Sequence, residues 1–246
     1  MSILHVNNVS KSYGEQQILS NVNFSAQQGQ IVGLIGPSGS GKTTIIKLIM
    51  GMAFPSSGIV EVLHQQVPNL SLLKEIGYMA QSDALYQDLT GYENLTFFAS
   101  MFLMTKKEQQ QRLAYVVNLV QLESALNKRV ATYSGGMKRR LSLAVALIQN
   151  PPLLILDEPT VGIDPELRKS IWQELTRLKN EEQTTIIVTT HVMDEAEKCD
   201  VLSMIREGRV ITTGSPQKLK DDYQVTNLEE VFLKAGGVAH ANQSTS

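Results

Sequence analysis

Three groups of residues have the types and spacing to do chemistry on a phosphate. The segment Gly36 to Thr43 reads GPSGSGKT. Glycines let backbone N–H groups turn inward around phosphate oxygens, and a following helix offers its N-terminus to the same anion. Lys42 would set a point charge on the β- and γ-phosphates, and the Thr43 hydroxyl would ligate Mg²⁺. This pattern is that of a nucleoside triphosphate site; alone it leaves GTPases, kinases and several ATPase classes open. The second group is Leu153 to Glu158, an apolar run closed by two adjacent carboxylates. In open α/β sheets, ligands bind beyond the carboxyl ends of the strands. Asp157 is therefore expected to hold Mg²⁺ through water, and Glu158 to orient and deprotonate an attacking water. The third group is Ser134, Gly135 and Gly136, followed by the basic helix start Lys138, Arg139 and Arg140. Residues of this kind opening a helix form a second anion cradle. Downstream of a phosphate loop, that cradle suggests a site which one copy of the protein does not complete.

The surrounding pattern supplies elements to carry these groups. Gln30 to Ile35 reads as a continuous apolar strand entering the glycine-rich loop, and Thr44 to Met50 as a helix stopped near Gly51 and Pro55. Ile3 to Val6 and Val22 to Phe24 read as short strands around a turn at Gly14. Ile59 to Leu63 and Ile76 to Met79 are further strands, the latter ending at Gln81. From about Gly91 to Asn150 the period is helical: Leu95, Phe98, Ala99 and Phe102 share one face, as do Leu113, Val116, Val117 and Val120. After Pro151 and Pro152, strand and helix alternate again. Leu153 to Leu156 and Thr185 to Thr190 are strands, with Glu166 to Lys179 a helix between them. Val201 to Ile205 and Arg209 to Thr213 form a hairpin around Glu207-Gly208, and Leu228 to Lys234 is a last helix. Continuous apolar strands predict a mostly parallel sheet covered on both faces, hence an α/β core with an inserted helical subdomain.

Composition narrows the classes. A net charge of −2 over 246 residues gives no electrostatic case for nucleic acid as the main partner. Cys199 is the only cysteine, so no internal disulfide forms; it reads as a packing residue compatible with a reducing compartment. The richest apolar runs, Phe97 to Met104 and Leu141 to Ile148, are well short of the ~18 residues of a membrane helix. The N-terminus has no basic stretch followed by an apolar region, so it is not read as a secretory signal. The expectation is a protein soluble when isolated, whose membrane role would come through a partner.

Taken in order, these motifs resemble the ATP-binding cassette superfamily over nearly the whole chain, specifically the nucleotide-binding domain of ABC transporters. Gly36, Pro37, Ser38, Gly39, Ser40, Gly41, Lys42 and Thr43 match Walker A, with Thr44 adjoining it. Gln81 matches the Q-loop glutamine, and Ser134 to Gly136 the centre of the signature motif. Leu153 to Glu158 matches Walker B with its catalytic glutamate, Asp164 the D-loop aspartate and His191 the switch histidine. Tyr13 sits where the family has an aromatic residue under the adenine ring. Two departures stand out: the family's LSGGQ is YSGGM here, flanked by Tyr133 and Met137, and SALD is VGID at Val161 to Asp164. Met137 lacks a side-chain amide and Gly162 would loosen its loop; both are expected to tune the rate without abolishing hydrolysis.

The resemblance implies a P-loop NTPase core, mostly parallel sheet with flanking helices plus an antiparallel β subdomain, with the helical subdomain inserted. The expected boundaries are a single ABC ATPase domain at 1–235, with core at 1–90 and 151–235, helical subdomain at about 91–150, and a disordered tail at 236–246. It further implies ATP and Mg²⁺, the metal held by Thr43, Gln81 and Asp157. Two cassettes, as a homodimer or a heterodimer with another ABC ATPase, would pack head to tail around ATP. Walker A of one copy would then face Ser134, Gly135 and Gly136 of the other. Glu158 would be the general base, His191 and Lys42 would act on the γ-phosphate, and Gln81 would sense the nucleotide. A separate transmembrane permease would hold the chain at the cytoplasmic face of the membrane. The signature-to-Walker-B stretch and NLEEVFL at Asn227 to Leu233 resemble exporters of the ABC-2 type. The alternative is a soluble ABC ATPase acting on ribosomes, DNA or protein assemblies. Ribosome-acting members usually carry two cassettes and DNA-repair members a long coiled coil, whereas this chain has one cassette and no sustained heptads.

Overall fold

A computed structural model of the protein describes residues 1–81 and 84–237. The chain divides into two compact units, one formed by Met1–Leu70 with the segment from Thr189 onward, the other by Ser71–Val188.

In the first unit, β1 (Ser2–Tyr13) and β2 (Gln16–Gln27) pair antiparallel across a turn at Gly14. With β4 (Ser57–Val62) and β5 (Gln65–Gln66) they make a four-stranded sheet in the order β2-β1-β4-β5. Both opening strands run 12 residues, well past the apolar stretches Ile3 to Val6 and Val22 to Phe24. Their polar centre, including Asn7, Asn8 and Ser10, has no clean alternation because the ladder is bulged: register shifts fall between Val6 and Val9 and between Val9 and Lys11. Here the pairing extends the strands beyond what periodicity predicts.

The second sheet element of this unit is β3 (Ile31–Ile35), buried at every position. It lies parallel to β9 (Val201–Arg206), which pairs antiparallel with β10 (Arg209–Gly214) in the expected hairpin. Asp200 ties down the start of β3: its carboxylate accepts from the Ile31 N–H at 2.8 Å, and its own N–H donates to the Ile31 carbonyl at 2.9 Å. β3 thus enters the phosphate loop from a fixed register and leads to α1 (Lys42–Ile49). The unit also contains α6 (Met193–Ala196), α7 (Pro216–Tyr223) and α8 (Leu228–Ala235). α7 carries a start signal in its sequence, with Ser215 capping the Lys218 N–H and Pro216 at the first helical position. Cys199 is buried against Gly33, and burial pushes its thiol up, as expected of a packing residue.

In the second unit, β6 (Ile76–Met79) and β7 (Leu153–Asp157) are parallel, Ile76 opposite Leu153 and Met79 opposite Leu156. β8 (Thr185–Thr190) neighbours β7, and its last two residues belong to the first unit. β7 and β8 are buried throughout, which explains their unbroken apolar and β-branched sequences. The helical stretch resolves into α2 (Gly91–Ser100), α3 (Lys106–Leu119) and α4 (Gly135–Leu147), with short 3₁₀ turns between α3 and α4. α5 (Pro165–Glu181) buries Leu167, Ile171, Trp172, Leu175 and Leu178, a helical stripe in which each large apolar side chain contributes roughly 1.5–3 kcal/mol. Arg177 on α5 pairs with Glu174 and Glu182 at 2.8 Å and Glu181 at 3.0 Å. The Tyr115 hydroxyl on α3 donates to Glu174; burial, with that bond, pushes Tyr115 up to about 12.

Among the described residues no helix is long and apolar enough to cross a membrane. The expected tail at 236–246 lies outside the described residues from position 238 on.

Candidate nucleotide site

The phosphate loop joins buried β3 to α1. Gly41 stands at the cap position of α1 with φ 106°, a conformation that side-chain-bearing residues rarely adopt. No side chain caps α1, and no first-turn residue is acidic. The helix therefore brings no carboxylate of its own to compete with an anion for its first N–H groups. Lys42 is buried, and its ammonium donates to the carbonyls of Gly36 at 2.7 Å and Pro37 at 3.0 Å, which holds the charge within the loop. Ser40 is also buried, Thr43 and Thr44 are half-buried, and Pro37, Ser38 and Gly39 are exposed.

His191 belongs with this loop. A cavity of about 190 Å³ is lined by Ile35, Gly36, Pro37, His191, Met193 and Phe232. The backbone next to the histidine is pinned by a buried carboxylate: the Thr190 hydroxyl donates to Glu195 at 2.8 Å and accepts from the Val192 N–H at 3.0 Å. Tyr13 lies at the end of β1 with its ring half exposed and the Lys11 ammonium 4.6 Å from the ring centroid. Lys11 is itself held by the Phe54 carbonyl at 2.8 Å.

The second unit carries the other candidates. Asp157 closes β7 and is buried at 2% exposure, and half-buried Glu158 follows with φ 52°. Tyr78 on β6 is pushed up by burial and by the charge of Asp157. Gln81 is exposed, just past the end of β6. Ser134 caps α4, its hydroxyl accepting from the Met137 N–H at 3.2 Å, and Gly135 is exposed with open space around it. Gly136 approaches the D-loop: a Cβ there would stand 3.0 Å from the Gly162 carbonyl, while Gly162 itself has φ 75°. Gly162 thus fits a left-handed turn that favours glycine. Asp164 caps α5 by accepting from the Leu167 N–H at 2.9 Å. Tyr133 is buried, with its hydroxyl donating to the Ala125 carbonyl at 2.8 Å.

The basic run at the start of α4 has a tertiary explanation. Cations near a helix N-terminus oppose the macrodipole, so Lys138, Arg139 and Arg140 are locally unfavourable. Each meets an acceptor elsewhere in the unit. Lys138 donates to the Gln87 side chain at 3.0 Å, and Arg140 to the carbonyls of Val120 at 3.2 Å and Gln121 at 3.1 Å. Arg139, buried, donates to the carbonyls of Ala80, Gln81, Asp157 and Glu158. It is the residue that joins the ends of β6 and β7, and motif reading did not single it out. The available signal was three cations where the dipole disfavours them. Glu195 was missed as well, because a carboxylate four residues after a histidine has no distinctive pattern.

A phosphate loop running into an uncapped helix, and a buried carboxylate ending a parallel strand, occur within a segment, residues 19–161, that matches the family described as ABC transporter. The chain belongs to the ABC transporter family. This ABC cassette is 40% identical to Nod factor export ATP-binding protein I of Rhizobium etli, over 99% of the chain and 77% of that relative. It is 41% identical to ABC transporter G family member 23 of Dictyostelium discoideum, over 94% of the chain but only 33% of that longer relative. A solved ATP-binding subunit of an ABC transporter superposes with a TM-score of 0.88 at 28% identity, over 95% of this chain and 99% of the other. A dimeric ATP-binding cassette in a post-hydrolysis state, bound to ADP and Pi, gives 0.80 at 29% identity, over 87% and 98%. The fold is thus that of the ABC ATPases, and the enzyme activity of this family member is ATP hydrolysis.

Proposed function

We propose that the chain is the ATPase subunit of an exporter, working in pairs of cassettes beneath a separate membrane permease at the cytoplasmic face. The observation that carries the paired arrangement is that the chain has two acid-free helix N-termini built from Walker A and signature residues, α1 behind the phosphate loop and α4 behind Ser134. One such cradle suffices for the phosphates of one nucleotide. A second, exposed cradle fits the nucleotide of another copy, homologous or identical, and ATP bound between copies would stabilise the dimer by mass action.

In this reading the loop N–H groups from Gly36 to Thr44, with Lys42, bind the phosphates, and Tyr13 stacks on adenine. Ser134, Gly135 and Gly136 bind the partner's γ-phosphate. The donors Thr43, Asp157 and Gln81 are all hard oxygen ligands, as Mg²⁺ requires, and the bound ion would supply charge neutralisation on the phosphates. Glu158 takes a proton from water as the water oxygen bonds to the γ-phosphorus and the bond to ADP breaks, releasing phosphate. His191, beside Gly36 and Pro37, orients the γ-phosphate and the water.

The permease reading is supported by the Rhizobium etli relative, a Nod factor export ATP-binding protein, and by the surface of the 91–150 segment, which we read as the helical subdomain. A groove of about 630 Å³ runs between α2 and α3, lined in part by Tyr92, Leu113, Val117 and Leu126. Phe97, Met101 and Leu103 on the same segment are exposed. An apolar cytoplasmic segment of the permease suits this groove. The test is Glu158→Gln in the full chain. It should bind ATP, lose on the order of 10²–10⁴ in turnover, and accumulate as an ATP-bound dimer in size-exclusion chromatography. Wild-type turnover in that variant would overturn the assignment of the base. Co-purification from detergent extract with ribosomes instead of a membrane protein would overturn the permease.

A further inference from the structure

We infer that Arg139 is a positioning residue for hydrolysis, fixing the backbone at Gln81 and Glu158 so that both side chains point where the reaction needs them. The inference rests on the reading of Glu158 as general base. Its basis is the way the guanidinium is shared. One terminal nitrogen donates to the carbonyls of Ala80 at 2.7 Å and Gln81 at 2.9 Å, which flank the Gln81 Cα. The other donates to the carbonyls of Asp157 and Glu158, which flank the Glu158 Cα. Holding the carbonyls on both sides of a Cα restrains φ and ψ at that residue, and with them the direction of its Cβ. Two catalytic candidates from two different strand ends are therefore oriented by one buried side chain.

The restraint matters most at Glu158, whose φ of 52° lies in the left-handed region that non-glycine residues avoid. Such a conformation persists when surrounding bonds over-determine it, and Arg139 supplies bonds on either side. Four of the five guanidinium N–H donors are accounted for by these carbonyls, and the planar fork matches the paired acceptors. A lysine ammonium keeps the charge but has three donors converging on one point, so it cannot span both pairs. Arg139 also stands in α4, five residues after Ser134, about 7.5 Å along the helix axis. The same helix whose N-terminus would receive the partner's nucleotide thus carries the clamp on Gln81 and Glu158, and seating of that helix bears directly on both.

The test uses Arg139→Lys in the full chain, in wild-type and Glu158→Gln backgrounds. In the wild-type background kcat should fall at least about tenfold while the Kd for ATP stays within about twofold, because the phosphate loop belongs to the other unit. In the Glu158→Gln background the same substitution should cost less than half that fold-loss, since one of the two side chains it positions is gone. A kcat within twofold of wild type, an equal fold-loss in both backgrounds, or a parallel loss of ATP affinity would each overturn the inference. If Arg139→Lys lacks a cooperative unfolding transition, Arg139→Gln is read by the same criteria. Wild-type turnover in Glu158→Gln alone sinks the reading of the base and this inference with it. Slow turnover in Glu158→Gln beside an unaffected Arg139→Lys removes only the positioning role.

Discussion

Helices α1 and α4 begin differently from α2 and α3. The latter two open with complete capping boxes: Thr90 and Glu93, then Thr105 and Glu108, exchange side-chain and backbone hydrogen bonds across the first turn. In each, the glutamate carboxylate accepts from the N–H of the capping threonine, and the threonine hydroxyl accepts from the glutamate N–H. α1 has no side-chain cap and no acid, and begins with Lys42. α4 has the hydroxyl cap of Ser134, but Met137 stands where a capping box would have glutamate, and three basic residues follow. A helix that supplies its own carboxylate needs no outside anion at its positive end; a helix that keeps acids away leaves that end for one. Under the proposed function α1 and α4 are the helix starts that bind phosphate; α7, also acid-free behind the Ser215 hydroxyl, shows that an acid-free start is not sufficient by itself.

The largest break in this comparison should come from Lys42→Ala. Losing a charge-assisted contact of up to about 3 kcal/mol should weaken ATP binding on the order of a hundredfold, read by equilibrium titration with nucleotide. Unchanged affinity would remove the phosphate loop from the reading. Next in size, Met137→Glu would complete a capping box on α4 and convert it into a helix of the α2 type. A carboxylate in the second cradle should weaken ATP-driven dimerisation about tenfold or more, followed by sedimentation with and without ATP, while ATP binding by the monomer stays unchanged. Equal dimerisation would mean that the α4 N-terminus receives no anion.

The smallest effects belong to the ordinary caps. Thr90→Ala should cost about 1 kcal/mol of stability in denaturant unfolding and leave the rate of ATP hydrolysis per folded molecule near wild type. The same caps carry a pH signature. Hydrogen bonds from Thr90 and Thr105 hold the carboxyls of Glu93 and Glu108 below the usual carboxylate range. A depressed pKa contributes stability above the unfolded value, and that contribution disappears as pH falls through the folded one. The melting temperature of wild type should therefore exceed that of a Glu93→Gln, Glu108→Gln double variant at neutral pH, and the gap should close in acid. A gap that is constant with pH would show that these carboxylates do not titrate in the caps.

Much of the site was legible because it is made of local chemistry. GPSGSGKT needs glycine at positions of unusual φ, and the position following β7 needs carboxylates, so both are visible as residue types in order. Helices with a capping residue and a stripe, such as α5, were legible for the same reason. The strands β1 and β2 were half hidden, since bulged pairing between polar residues leaves no alternation to read. The role of Arg139 was hidden completely. Its four acceptors are main-chain carbonyls, which every residue has, so nothing in their identity marks them.

Residue order alone therefore established the nucleotide chemistry and the ABC family. These are properties of short segments, where side-chain type dictates φ, charge and hydrogen-bonding capacity directly. Tertiary structure decided where the cations of α4 find acceptors, how Gly136 approaches the Gly162 carbonyl, and what holds Glu158 in a left-handed turn. Those depend on which backbone groups are brought within about 3 Å of one another, and hydrogen bonding is too short-ranged to be read from sequence separations as long as the 58 residues between Gln81 and Arg139.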